Sequence, residues 1–478
     1  MKKLTAMALM AALILGFAGT ASALHLLDKP PVEGATGVKT GLEIYGGVAT
    51  ILYFENYDFA DQAGAQGEQN FEGETDYYLG FDVIRSENLH GRIQVYDEVI
   101  WGQNDGYGTD TGSGDRLLVE EAWLEFNLPD FAGEATNVSV KAGDFGIKLP
   151  GVGVNVLDDT SHSIAVTVPF NEMIAATAGF SRLAAENNAG KNESYLDAWW
   201  LSLPVAGDGY TFNPYFLLAT GNTDANTAAL TTDPSLDGNF GFDFDQETDV
   251  SAMWYGAQLG LDMLDPFFFN LGFVYGDAEI EDIQSAGGEF DLERSGYIFE
   301  ASADYKMELF TPSLYFVYGS GTDKDDLDDG EINILPSIEG GNYKPFNAID
   351  DFQDEFAGGL WSVAFMLKDL PCPIPAASEC MEHQLILAYI EGTNDKDALD
   401  NQGVAGVTSL DEVMGGLPIT EEDSMFTVEF NTTWTMYENL AANLFLAYTE
   451  ADFDEDVHGE DYLEEDYTTA QFTLSYSF

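Results

Sequence analysis

Residue types able to carry catalysis are few in this chain. Five histidines occur, His25, His90, His162, His383 and His458, and Ser161-His162-Ser163 sets a hydroxyl beside a base. Successive strand residues point to opposite faces, so a serine next to its base in sequence turns away from it instead of forming a triad. No enzyme is expected. The acidic run Asp323 to Glu331 has the charge of a calcium loop, but Leu327 stands where the Asp-x-Asp-x-Asp-Gly spacing needs an oxygen. Loose calcium or other cation binding by acidic loops is the expectation, with no dedicated metal site and no cofactor. Cys372 and Cys380 are the two cysteines; in an oxidising compartment they would close a small loop as a disulfide, since a metal site needs more ligands than His383 adds.

The other chemistry on offer is electrostatic. Alternation puts Arg92, Gln94 and Tyr96 on one face of a strand, Glu121, Trp123 and Glu125 on one face of the next, and Lys141 on the one after. A following link, 146–160, is apolar and glycine-rich, with Lys148, Asp158 and Asp159 its charged residues. Such a link packs against a wall better than it solvates, which makes it the candidate constriction. If these residues line a pore, Arg92, Lys141 and Lys148 opposed to Glu121, Glu125, Asp158 and Asp159 set a transverse field through which ions pass with little screening. They could equally be salt-bridge partners that brace the wall.

The elements that must hold these side chains are strands. In Ala470 to Phe478 the apolar Phe472, Leu474, Tyr476 and Phe478 alternate with Gln471, Thr473, Ser475 and Ser477. The same period recurs in Tyr77, Leu79, Phe81 and Val83, in Ala122, Leu124, Phe126 and Leu128, and in Leu440 through Tyr448. Links between them alternate in length. Short ones stand at Glu87-Asn88, 205–208, Leu264-Asp265, Glu308-Leu309 and Tyr437-Glu438, and long acidic or glycine-rich ones at 55–75, 221–250, 320–354 and 392–423. A transmembrane barrel with tight periplasmic turns and long external loops shows this rhythm, and a jelly roll or propeller has no cause to. Pairing across the short links predicts hairpins at 76–101, 116–145, 161–182, 194–220, 251–278, 293–320, 355–392 and 424–451. With a strand at each end this is an all-β antiparallel barrel of 16 to 18 strands, best counted as 18. Tyr77, Tyr78, Trp101, Trp199, Trp200, Trp254, Tyr255, Trp361 and Trp434 fall near strand ends, as an interfacial girdle would.

Composition agrees. Lys+Arg of 17 against Asp+Glu of 84 gives a net charge of -67, which makes nucleic acid an untenable partner. The acidity reads as loop solvation in a saline or alkaline habitat or as a cation-attracting mouth, and the two are compatible. Lys2 and Lys3, the apolar run Leu4 to Ala18 and Ala21-Ser22-Ala23 form a signal-peptide pattern. The expected division is a cleaved signal peptide 1–23 and one barrel domain 24–478, with 24–40 a periplasmic segment. Apolar stretches such as Phe267 to Leu271 are broken within a few residues, which excludes a membrane-spanning helix.

Between Gly91 and Leu183 the chain resembles the homotrimeric outer-membrane porins of sulfate-reducing and related deltaproteobacterial Gram-negative bacteria. The residues that carry the resemblance are Val95 to Glu98 before Trp101-Gly102, Glu120 to Phe126, Lys141 to Phe145, Leu149-Pro150-Gly151 and Val156 to Asp159. The terminal Phe472, Leu474, Tyr476 and Phe478 are similar to the signal read by the outer-membrane assembly machinery. The resemblance implies a homotrimer in outer-membrane lipid and lipopolysaccharide, passing small anions or organic acids, although the acidity argues against anions. Passive diffusion of small hydrophilic solutes and ions is therefore expected. A substrate-specific channel with an aromatic track such as Trp123 and Tyr96, or a structural or adhesive barrel with an occluded lumen, stands as the alternative.

Overall fold

A computed structural model describes residues 41–56, 69–86, 88–100, 118–129, 135–149, 156–186, 194–223, 248–285, 288–324, 326, 331–336, 359–372, 380–399, 419–454 and 467–478. The expected signal peptide 1–23 and segment 24–40, Trp101 and the middle of most long links lie outside these residues.

Along the described chain the alternating pattern becomes strands β1 (Gly41–Asn56), β2 (Gln69–Ser86), β3 (Leu89–Ile100), β4 (Leu118–Pro129), β5 (Ala135–Lys148), β6 (Asp158–Pro169), β7 (Ala175–Glu186), β8 (Ser194–Ser202), β9 (Val205–Gly207), β10 (Tyr210–Thr223), β11 (Thr248–Leu264), β12 (Phe267–Ser285), β13 (Gly288–Tyr305), β14 (Thr311–Gly319), β15 (Glu331–Ile332), β16 (Leu360–Pro371), β17 (Met381–Gly392), β18 (Ser424–Tyr437), β19 (Leu440–Asp452) and β20 (Tyr467–Ser477). β9 continues β8 past Leu203-Pro204 on the same partner, β10. β15 is a two-residue parallel contact on β13. The remaining 18 strands form the wall, each antiparallel to its neighbours, and β1 pairs with both β2 and β20, so the ring closes. At the seam the Gly46 amide donates to Phe478 O at 3.2 Å and the Phe478 amide to Gly46 O at 3.0 Å. Closure leaves no strand edge unpaired, which is what an apolar medium requires of a sheet. Among the described residues no helix is long and apolar enough to cross a membrane.

All eight expected hairpins are present. Two links differ from expectation: most of 205–208 is strand β9, which leaves the turn at Asp208-Gly209, and the long link after β12 is shorter than expected. β12 and β13 continue together to Ser285 and Gly288, with a register shift between Ile280 and Ile283. The reason for the second is local: Val274, Gly276 and Ala278 keep the inward period while Asp277, Glu279 and Glu281 take the other face, so the sequence goes on specifying strand after the outer face has turned acidic.

The outer face carries Phe472, Leu474, Tyr476 and Phe478 of β20 and Leu42, Ile44 and Val48 of β1, all exposed. The proposed girdle splits. Tyr77, Trp199, Tyr255, Trp361 and Trp434 keep the outward parity, whereas Tyr78, Trp200 and Trp254 turn inward, because adjacent strand residues cannot share a face. Inward rings lie flat on cross-strand glycines. A Cβ on Gly80 would stand 2.1 Å from the Tyr45 ring, one on Gly179 2.3 Å from Trp200 and one on Gly276 2.5 Å from Trp254. The glycines thus let large rings cover the wall without crossing the lumen.

Part of the interior is packed. Leu149, Val156 and Leu157 from the β5–β6 link, Ile332, Ile334 and Leu335 from the segment after β14, and Ala398, Ile419 and Phe453 from the other loops join inward Leu217, Trp254 and Ile390 in one buried apolar cluster. The link proposed as a constriction does fold onto the wall in its described part; 150–155 lie outside the described residues. Cys372 is buried, its Sγ set against Met381 Sδ at 3.9 Å, and residues 373–379 of the expected disulfide loop lie outside the described residues.

Gly143, Gly209 and Gly359 adopt the positive φ that favours glycine, and Gly143 is the one inside a wall strand. Gly143 has φ 127°, and a Cβ there would meet Ala122 O at 2.2 Å, whereas a Cβ on Gly146 would meet nothing nearer than Thr160 Oγ1 at 3.7 Å. Gly143→Ala is expected to destabilise the refolded barrel by about 2 kcal/mol or more and Gly146→Ala by less than about 0.5 kcal/mol, measured as shifts of the denaturant midpoint in detergent.

Candidate solute pathway and its charge cluster

Register decides which of the predicted lumen residues meet. Asp82 of β2 stands opposite Arg92 of β3, and Arg92 opposite Trp123 of β4. Glu125 pairs with Lys141 of β5. All share the inward parity, so the predicted Arg92, Glu121, Glu125 and Lys141 form one cluster around the Trp123 ring. Arg92 Nε donates to Asp82 Oδ1 at 2.7 Å and Nη2 to Oδ2 at 3.0 Å, a two-toothed pairing, while Nη1 reaches Glu121 Oε2 at 3.5 Å. Trp123 Nε1 donates to the same Glu121 oxygen at 2.9 Å. The Arg92 guanidinium lies 5.1 Å from the Tyr45 ring centre and 5.6 Å from that of Trp123, and Lys141 Nζ sits 4.1 Å from Trp123 and 4.4 Å from Phe145. Two cations therefore flank one indole, Arg92 held by acid as well as by an aromatic face, and Lys141 set against the Trp123 and Phe145 rings. Arg92 is thus paired within the wall, and the four residues share its inner face.

The rest of the predicted set is placed elsewhere. Lys148 is exposed and carries the outward parity, opposite Asp158 in register, because it follows the buried Ile147 by one residue. Asp159 stands opposite Ile147 in register. Ser161 and Ser163 turn inward and are buried, with Oγ atoms 3.0 Å apart, and Ser163 donates to Ser181 Oγ at 2.9 Å. His162 turns outward to pair with Asp144. Serine and histidine therefore occupy opposite faces, as alternation demands.

Several contributors were not anticipated. Asp82, the main partner of Arg92, was legible as an inward residue between the outward Phe81 and Val83. Lys368 on β16 pairs with Asp304 on β13 at 3.1 Å, although the two are 64 residues apart. Arg294 is buried, and its Nε and Nη2 donate to Ile334 O at 3.3 Å and Leu335 O at 3.0 Å. Trp254 Nε1 donates to Pro336 O. A charged and an aromatic side chain of the wall thus satisfy the carbonyls of the inserted segment, which would otherwise be desolvated without partners. At the loop end Asn394, fully buried, accepts from the Thr322 amide at 3.0 Å and donates to Ile419 O at 2.8 Å, while Asp423 accepts from Thr420 and from the Asp454 amide at 2.8 Å. These bonds tie three loops into one mouth.

The apolar cluster reaches from Trp123 of β4 and Phe145 and Ile147 of β5 round to Met425 of β18, while inward polar side chains gather on β18 to β20 and on β1 to β4. Asn443 Nδ2 donates to Asn431 Oδ1 at 2.7 Å and to Thr433 Oγ1 at 3.1 Å, and Gln471, Thr473 and Ser475 follow on the same face by register. A lane of amides and hydroxyls therefore runs beside the Arg92 cluster, and it is the surface a hydrated solute would follow.

No family model and no curated protein matches this chain. Solved structures do match in fold. The crystal structure of Pseudomonas aeruginosa OccD3 (OpdP) aligns with TM-score 0.53 and 10% identity over 93% of each chain. Pseudomonas aeruginosa OccK2 (OpdF) aligns with TM-score 0.53 and 10% identity over 91% of this chain and 97% of that one. Acinetobacter baumannii OccAB2 gives TM-score 0.53 and 8% identity over 92% and 98%. The chain shares with these proteins the architecture of a closed 18-stranded antiparallel barrel.

Proposed function

We propose that the chain is an outer-membrane porin through which small hydrophilic solutes and ions diffuse passively. The observation that carries the reading is the row of inward amides and hydroxyls on β18 to β20, Asn431, Thr433, Asn443, Gln471, Thr473 and Ser475, beside the inward charges of β2 to β5. A structural barrel has no need of it, and an open aqueous lumen does. The outward apolar face is the surface expected against lipid, and the solved structures of like fold are outer-membrane porins. The short-turn end then faces the periplasm, and the loops face outside, against lipopolysaccharide. A homotrimer follows from the resemblance in the sequence, as does delivery by the assembly machinery through the exposed β20 pattern. Loose binding of calcium or other cations belongs to the acidic loops. The second reading, a substrate-specific channel, is favoured by the inserted segment 331–336, because it narrows the lumen with apolar side chains held by Arg294.

Refolded protein in a planar bilayer under a potassium chloride gradient is expected to give stepwise conductance with a cation-selective reversal potential. A folded barrel without conductance would overturn the pore reading. Arg92→Gln combined with Lys141→Gln is expected to raise the cation-to-anion permeability ratio about two- to threefold, since both cations face the lumen. Lys148→Gln, on the outer face, is expected to leave that ratio unchanged; an equal shift from Lys148→Gln would show that overall charge sets selectivity instead of the cluster.

A further inference from the structure

One cavity of the lumen has no basic side chain on its lining. It encloses 680 Å³ between β1 to β3 and the β18–β19 turn, and Asp76, Tyr78, Tyr96, Glu120, Tyr437 and Glu438 line it. Gly47 lets Tyr78 lie against the wall, since a Cβ there would stand 2.6 Å from Tyr78 Cε1. One face of the ring is thus covered, and Tyr78 is still 37% exposed. Tyr96 stands opposite Tyr78 in register and donates to Asp76 Oδ1 at 3.3 Å, which fixes the carboxylate beside the two rings. Glu120 occupies the bulge between the Gln94 and Val95 pairings, where Gln94 Nε2 donates to it at 2.5 Å. Arg92, the basic residue two positions from Gln94, is engaged by Asp82 and Glu121.

Carboxylates joined to open aromatic faces are the chemistry that holds an organic ammonium ion, by charge-assisted hydrogen bonds on one side and cation–π attraction on the other. A carboxylate-bearing solute finds no counter-charge on this lining, and a neutral polyol would leave the acidic groups uncompensated. From this cavity we infer that the lumen holds a binding site for small alkylammonium ions and diamines that lack a carboxylate. The inference deepens the pore reading and rests on it, because the ligand reaches the cavity through the lumen.

Isothermal titration of the refolded full chain in detergent micelles with putrescine tests the inference, with glucose, succinate and arginine as comparison solutes. Putrescine is expected to bind saturably and more tightly than arginine, and neither glucose nor succinate to give a saturable signal. Asp76→Asn and Tyr78→Leu are each expected to weaken putrescine binding roughly tenfold while the folded, heat-modifiable barrel is retained. Putrescine binding unchanged in both variants would place it on the general acidity of the loops and overturn the site. Saturable glucose binding lost in Tyr78→Leu would overturn it in favour of a saccharide site. Conductance measured on the same preparation separates the two readings: intact conductance without putrescine binding sinks the site alone, and putrescine binding without conductance sinks the pore alone.

Discussion

A strand placed in an apolar medium has no water to satisfy its amides and carbonyls, and each group left unpaired costs several kcal/mol. That constraint governs everything else in this molecule. It forces the ring to close, so β1 must pair with β20 as well as β2, and the chain must finish in register with Gly46 through Phe478. Closure also fixes parity. Once one residue of the wall is known to face the lumen, the antiparallel pairings assign every other residue to one face or the other. The Arg92 cluster exists because Asp82, Arg92 and Trp123 fall on the same parity at the same level.

A wide barrel raises a second problem, since an interior of this size fills with water unless side chains or loops occupy it. The molecule solves it unevenly. Glycines opposite Tyr45, Tyr78 and Trp200 let rings lie along the wall, so that area is covered with little intrusion. Elsewhere loop residues are drawn inward, and the desolvated backbone of 334–336 finds its donors in Arg294 and Trp254. The polar lane is what remains. Its amides and hydroxyls stand on β18 to β20, Asn431, Asn443 and Gln471 among them.

Charge is arranged on a different principle. The 17 Lys and Arg can offset few of the 84 Asp and Glu, which leaves a net charge of -67, so the basic residues gain importance by position. Arg92 and Lys141 both face the barrel interior against the Trp123 ring, and Asp82 holds Arg92 there. Arg182 meets Asp197 on the outer face instead, at 2.7 Å, where it steadies the wall and faces no solute. Two arginine–aspartate pairs of like geometry therefore do different work according to the face they occupy.

The sequence by itself determined the strand period, the alternation of short and long links, the eight hairpins and the inward parity of Arg92, Glu121, Glu125 and Lys141, because each of these is a local property of period two or of a turn. It also placed His162 away from its serine neighbours. Tertiary structure alone decided the rest. The inward turn of Tyr78, Trp200 and Trp254 depends on ring parity, which composition near a strand end does not reveal. Lys148 left the proposed constriction by a single residue, since a shift of one reverses the face. Arg294, Asn394 and Asp423 act on segments tens of residues away, and such partnerships are set by where loops fold over the barrel, a matter of long-range packing that no local pattern encodes.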